Sequence, residues 1–131
     1  MSNISVLIYV ESRYKVNRKR MKATVERVMK ENNITSTAEV SVAVIGDRKM
    51  RGMNKKYRDK DTTTNVLSFP LSEGETAFIP KDVVRFGDIA ISYPQVIKEA
   101  ARDEVLVDDK VDELLEHSLL HLLGLHHEEY S

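Results

Sequence analysis

The sequence predicts an α+β domain: one mixed four-stranded sheet packed with helices. Three observations predict it. Short runs rich in β-branched residues alternate apolar and polar positions, longer runs repeat with helical period, and their order is strand, helix, strand, helix, strand, strand, helix, helix. At 131 residues the chain is large enough to bury one core and too short for a second domain, so residues 1–131 are read as a single unit.

Asn3 to Val10 alternates and is β-branched, which predicts a buried first strand. Asn17 then precedes a helix with Met21, Val25, Val28 and Met29 on one side and Arg18, Lys19, Lys22 and Arg27 on the other. Ala38 to Ile45 predicts the second strand. Asp47, just after Gly46, is placed as the N-cap of a short basic helix reaching about Tyr57. Arg58 to Asn65 has no periodicity and many side-chain oxygens, which predicts a loop.

Val66 to Pro70 predicts a short strand that ends, or lies on an edge, at the proline. Ser72 to Lys81 carries Gly74 and Pro80 and predicts an irregular excursion. Arg85 to Ser92 returns to strand, and Ser92-Tyr93-Pro94 opens a helix to about Glu104 with a capping hydroxyl and an early proline. The last helix begins at Asp108 and Asp109, acids at its positive end. Its wide apolar face predicts a central position, with His117 and His121 at the floor of a cleft.

Composition narrows the function. There is no cysteine, so any metal must rest on His, Asp or Glu, and the absence fits a reducing cytosol. The N-terminus has no basic leader, and no apolar run approaches the roughly 18 residues needed to cross a bilayer, so a soluble cytoplasmic protein without membrane contact is expected. The net charge of −1 conceals an asymmetry. Between Arg13 and Lys60 lie 15 of the 20 basic residues and 5 of the 21 acidic ones, giving +10 there and −11 elsewhere. Such an excess can attract a polyanion, although solvated helix faces produce the same pattern.

All four histidines fall between His117 and His127. His117 and His121, four apart, share one helix face. Gly124 is expected to supply a left-handed turn that ends the helix and folds His127 back as a third ligand. Three nitrogen ligands leave a tetrahedral ion one open position, the pattern of catalytic zinc. One Zn²⁺ per chain is expected, while nickel, copper or iron also accept nitrogen. The spacing matches the metzincin pattern H-E-x-x-H-x-x-G-x-x-H at every position but one. Ser118 stands where the glutamate base belongs, and a hydroxyl cannot replace it near neutral pH, so peptide hydrolysis is disfavoured. Glu116 reads as a surface acid.

These motifs resemble the YbeY family of bacterial rRNA maturation factors. Its hallmark, H-G-x-L-H-L-x-G-Y-D-H, is met by His117-Ser-Leu-Leu-His121-Leu-Leu-Gly124-Leu-His-His127. A second segment runs from Met53 through Tyr57-Arg58 and Lys60-Asp61 to Asn65-Val66-Leu67-Ser68-Phe69-Pro70, and a third is Gly87-Asp88-Ile89-Ala90-Ile91-Ser92. Ser118, Leu125, His126 and Asn65 depart from the family's glycine, tyrosine and two aspartates. None removes a metal ligand, and His126 is read as lying behind the ligands or exposed.

The resemblance implies a zincin-like fold whose metal-binding histidines lie on the C-terminal helix and the turn after it. It implies a zinc-dependent, single-strand-directed endoribonuclease acting in small-subunit rRNA maturation and ribosome quality control. Its metal would rest on His117, His121 and His127, and Arg58 would be a functional arginine contacting phosphate. Precursor rRNA, small-subunit ribosomal proteins and a ribosome-associated GTPase are the implied partners. The alternatives are a non-enzymatic ribosome-assembly factor with a structural metal and a metalloprotease lacking the usual base. With few aromatic residues to stack bases, sharp sequence readout is not expected.

Overall fold

The computed structural model describes residues 4–34, 37–70 and 83–130; of residues 70, 83, 84 and 125–130 it describes the backbone alone. The excursion expected over Ser72 to Lys81 lies outside the described residues. The elements follow the expected order: β1 (Ile4–Val10), α1 (Arg18–Glu31), β2 (Thr37–Ile45), α2 (Asp47–Arg58), β3 (Val66–Pro70), β4 (Val83–Ser92), α3 (Tyr93–Asp103) and α4 (Val107–Tyr130). The four strands form one sheet in the order β1-β2-β4-β3, with β1, β2 and β4 parallel and β3 antiparallel along the edge. The mixed sheet is as predicted.

The period-two alternation of β2 assigns its two faces. Ala38, Val40, Val42 and Val44 are buried in the main core with Val25, Val28 and Met29 of α1 and Leu115, Leu119 and Leu122 of α4. α4 packs against α1, α3, β3 and β4. The opposite face holds a smaller core of Ile45, Met50, Leu67, Phe69 and Ala90 beneath α2. That second core covers only part of the face. On β1, Leu7 and Tyr9 remain 53% and 55% exposed.

One glycine is dictated by the backbone. The register of β2 against β4 shifts between Glu39 and Val40, whose partners are Arg85 and Gly87, so Phe86 is the extra residue of a bulge. Gly87 adopts φ 140° there, a conformation that a side chain would strain.

Polar clasps hold the helices together. Arg20 of α1 donates to Asp112 at 2.5 Å and Asp109 at 2.6 Å on α4, and Thr24 Oγ1 donates to Asp112 at 3.0 Å. Arg27 reaches Glu116 at 3.4 Å, so Glu116 is the surface acid expected, with a structural partner. Part of the positive charge of the first half is therefore spent inside the fold. Lys49, Lys55 and Lys56 of α2 make no ion pair among the described residues.

Four local expectations are corrected. Gly46, not Asp47, is the N-cap of α2, because the Asp47 carboxylate is engaged by Thr63, Ser92 and Gln95. For the same reason the Ser92 hydroxyl does not cap α3. Arg58 is the last helical residue of α2 and not a loop residue, since Asp59 takes the left-handed turn at φ 56°. Finally, α4 continues through Gly124 to Tyr130. Glycine permits a left-handed turn without forcing one, and Leu125 to Tyr130 contains neither proline nor a β-branched residue to oppose the helix. No helix among the described residues is long and apolar enough to cross a membrane.

Candidate functional site

The local sequence of α4 sorts its residues into stripes. Lys110, Val111, Leu114, Leu115, Ser118, Leu119, Leu122 and Leu123 are buried, while His117, Leu120, His121 and Gly124 are exposed. His117 and His121 therefore share a stripe, as their spacing requires, and both are exposed; no cleft formed by the described residues has them at its floor. The apolar arc takes the residues that face the sheet, and the histidines fall at its edge. Ser118 is 3% exposed and turned into the core, so the position where the metzincin pattern needs a base offers neither a carboxylate nor access to substrate.

Two imidazoles one turn apart are a suitable half of a nitrogen-ligated zinc site. Among the described residues no third His, Asp or Glu joins them. The backbone of α4 is helical at His126 and His127, and the side chains of both lie outside the described residues. The turn at Gly124 that was to bring His127 back is not present in this backbone.

Arg58 is half-buried, and its guanidinium lies against β3. Nη2 donates to the Ser68 carbonyl at 2.8 Å, Nη1 donates to the Tyr57 carbonyl at 2.9 Å, and the group sits 5.1 Å from the centroid of the Phe69 ring. β3 is thus gripped from one side by Arg58 and packed from the other by α4, the helix of the histidines. Beside Arg58 opens a polar pocket of about 390 Å³ lined by Asn54, Arg58, Lys60, Thr62, Thr63, Thr64 and Leu67. Two cationic side chains and the Thr62 hydroxyl suit a phosphate group, while the Thr63 and Thr64 hydroxyls already donate to Asp47 and Asn65. Buried Asn54 holds this loop in place by donating to the Thr62 carbonyl at 2.9 Å.

Asp47 ties the loop to the rest of the fold, a role that its sequence context did not announce. Its carboxylate accepts from Thr63 Oγ1 at 2.9 Å, Ser92 Oγ at 2.8 Å and Gln95 Nε2 at 3.1 Å. Burial pushes the carboxyl up, but the hydrogen bonds from Ser92, Gln95 and Thr63, with the charge of Lys98, hold it below its ordinary value. One side chain thereby joins α2, the threonine loop, β4 and α3.

The comparisons with known proteins point one way. The sequence model of the family described as "Endoribonuclease YbeY" matches residues 8–131. Among curated proteins, the chain is 42% identical over 91 residues to "Endoribonuclease YbeY" of Anaeromyxobacter sp. (strain Fw109-5), covering 70% of this chain and 45% of that one. It is 40% identical over 90 residues to the same-named protein of Syntrophus aciditrophicus (strain SB), covering 69% and 55%. A third relative, from Acinetobacter baumannii, is 32% identical over 113 residues, covering 86% of this chain and 72% of its own. The chain thus spans about half the length of the first two relatives. A solution structure of the Thermotoga maritima protein TM1509 superposes with a TM-score of 0.60 over 89% of this chain and 71% of its own at 23% identity, a likeness of fold. With a family match from the first strand to the final residue and relatives at 32–42% identity, this chain belongs to the YbeY family.

Proposed function

We propose that the protein is a zinc-dependent endoribonuclease that cuts single-stranded precursor ribosomal RNA during small-subunit maturation and ribosome quality control. The observation that carries this reading is the family match over residues 8–131, together with the exposed His117 and His121 on one stripe of α4. The fold is read as zincin-like, with His117, His121 and His127 holding one zinc and the protein acting in the cytoplasm. Small-subunit ribosomal proteins and a ribosome-associated GTPase are the proposed partners beyond RNA.

Bound zinc would supply Lewis acidity, which brings the pKa of water near 7 and polarises a phosphoryl oxygen. The chain's own residues account for the rest. Arg58 and Lys60 offer positive charge to a phosphate at the threonine-lined pocket, where charge grows on the phosphoryl oxygens during transfer. His127 would reach the metal if the backbone turned at Gly124, a rearrangement coupled to ligation. The lysines of α2, which make no ion pair among the described residues, would hold the RNA backbone, which makes binding strongly salt-dependent. The buried, uncharged Ser118 speaks against peptide hydrolysis.

The test couples metal analysis to cleavage of single-stranded precursor RNA with and without chelator. About one metal per chain, cleavage lost on chelation and restored by zinc, and loss of cleavage in His121→Ala are expected. Full activity in His121→Ala would sink the catalytic assignment.

A further inference from the structure

On the face of the sheet opposite α4, a pocket of about 240 Å³ opens between α2 and the strands. It is lined by Ser41, Ala43, Met53, Tyr57, Phe69, Asp88, Ile89 and Ala90. Its walls are mostly apolar, with Ser41 and Asp88 as the polar exceptions, and Phe69 supports Tyr57 edge-on with ring centroids 5.1 Å apart. Tyr57 is 43% exposed and Tyr9, on the neighbouring open part of the sheet, 55%. Each ring carries a lysine. Lys56 Nζ is 5.2 Å from the centroid of Tyr57, and Lys49 Nζ is 5.5 Å from that of Tyr9. Lys49, Met53 and Tyr57 recur every four residues along α2, so cation, apolar wall and aromatic ring fall on one stripe.

We infer that this face is a nucleobase-binding subsite for single-stranded RNA, with Tyr57 and Tyr9 as stacking platforms and Lys49 and Lys56 as contacts to the adjoining phosphates. The inference rests on the endoribonuclease reading and adds a base-binding surface to it. Aromatic faces that stack successive bases beside a cationic track are how proteins hold single strands. The volume is below the roughly 300–1,000 Å³ of drug-sized pockets, which suits one base at a time. Asp88 adds a polar contact at the pocket wall. Ser41 and Arg85 both bond its Oδ1, and no described residue donates to Oδ2, so a ring N–H or exocyclic amino group can. RNA is favoured over a protein occupant by charge: α2 carries Arg48, Lys49, Arg51, Lys55, Lys56 and Arg58 against Asp47 alone.

The test compares binding of the full chain to a short single-stranded RNA and to an abasic ribose-phosphate strand of the same length. The chain has five tyrosines and no tryptophan, so quenching of tyrosine emission reports stacking without a label. The base-bearing strand should bind about 5- to 100-fold more tightly. Tyr57→Ala and Tyr9→Ala should each shrink that preference, and Tyr57→Phe should keep it. Lys49→Ala and Lys56→Ala should weaken both strands alike and flatten the salt dependence. If Tyr57→Ala disturbs Phe69 and the fold, which a melting curve detects, the half-exposed Tyr9 carries the test.

Equal affinity of the native chain for the two strands, or tyrosine variants that fold and retain the preference, would overturn the subsite while leaving the RNA reading intact. Absence of binding to either strand at low salt would overturn both. A dimer that Tyr57→Ala dissolves while the preference for the base-bearing strand persists would give the surface to another occupant and overturn the subsite as well.

Discussion

Arg58 Nη2, at the end of α2, donates to the Ser68 carbonyl oxygen of edge strand β3 at 2.8 Å. The arginine proposed to contact phosphate is therefore also a clamp on the strand that α4 packs against. The two roles separate by substitution. Arg58→Ala should cost about 1–2 kcal/mol of stability through its backbone hydrogen bonds and lower RNA cleavage by about 10²-fold or more through lost charge stabilisation. Arg58→Lys keeps the charge but not the planar fork. It should retain RNA binding and its salt dependence while losing most of the cleavage, as single-turnover kinetics beside a binding titration would reveal. Equal cleavage by Arg58→Lys and the native chain would remove the fork from the mechanism.

Asp47 predicts a pH-dependent stability. Its carboxyl is held below its ordinary value in the folded state, so its contribution is fully present above the unfolded value near 3.9 and is lost as pH falls through the depressed folded value. Asp47→Asn should cost about 1–2 kcal/mol at neutral pH, and the deficit should narrow below about pH 4. Denaturant midpoints of both proteins across that range check it. A deficit of constant size would mean that the hydrogen bonds do not depend on ionisation.

The sequence made the strands and helices legible because each carries a strong period: β2 alternates from Thr37 to Val44, and α1 repeats its apolar side from Met21 to Met29. The pairing of His117 with His121 was legible for the same reason, since spacing alone puts both on one stripe. Long-range polar partners were not. Asp47 after Gly46 looks like a cap, and only the folded chain brings Ser92 and Gln95 to it across 45 and 48 residues. Nor could the scarcity of aromatics reveal that Tyr9, Tyr57 and Phe69 gather around one face of the sheet. That grouping depends on how β1, α2 and β3 are laid side by side.

Asn65 marks a departure from the resembling family segment, which has aspartate there, and the structure supplies a reason. Its Nδ2 donates to Glu99 Oε1 at 3.2 Å. Asn65→Asp would bring two carboxylates into contact, with Arg102 at 4.0 Å from Glu99 giving partial relief. The variant should lose about 1 kcal/mol at neutral pH and recover it on acidification, because crowding raises the pKa of one carboxyl, which then protonates. Melting temperatures at about pH 7 and pH 5 test this. Equal losses at both would point to packing in place of charge.

Gly124 offers a test whose two readouts move in opposite directions. In the α4 helix an added Cβ meets nothing within 4 Å, so Gly124→Ala should stabilise the metal-free chain by about 0.5–1 kcal/mol through its higher helix propensity. If zinc binding draws His127 back through a left-handed turn at this residue, the same alanine penalises the bound form by a further ~1–2 kcal/mol. Zinc affinity should then fall by about tenfold or more while the metal-free melting temperature rises, as calorimetric titration and thermal unfolding of the same sample would record. His117→Ala and His121→Ala provide the reference, because each removes a ligand whichever path the backbone takes. Unchanged zinc affinity in Gly124→Ala would mean that α4 stays helical through Gly124 when metal binds. Ligation would then rest on His117, His121 and a donor other than His127, since in a continuous helix ten residues advance about 15 Å along the axis, too far for His117 and His127 to share one ion.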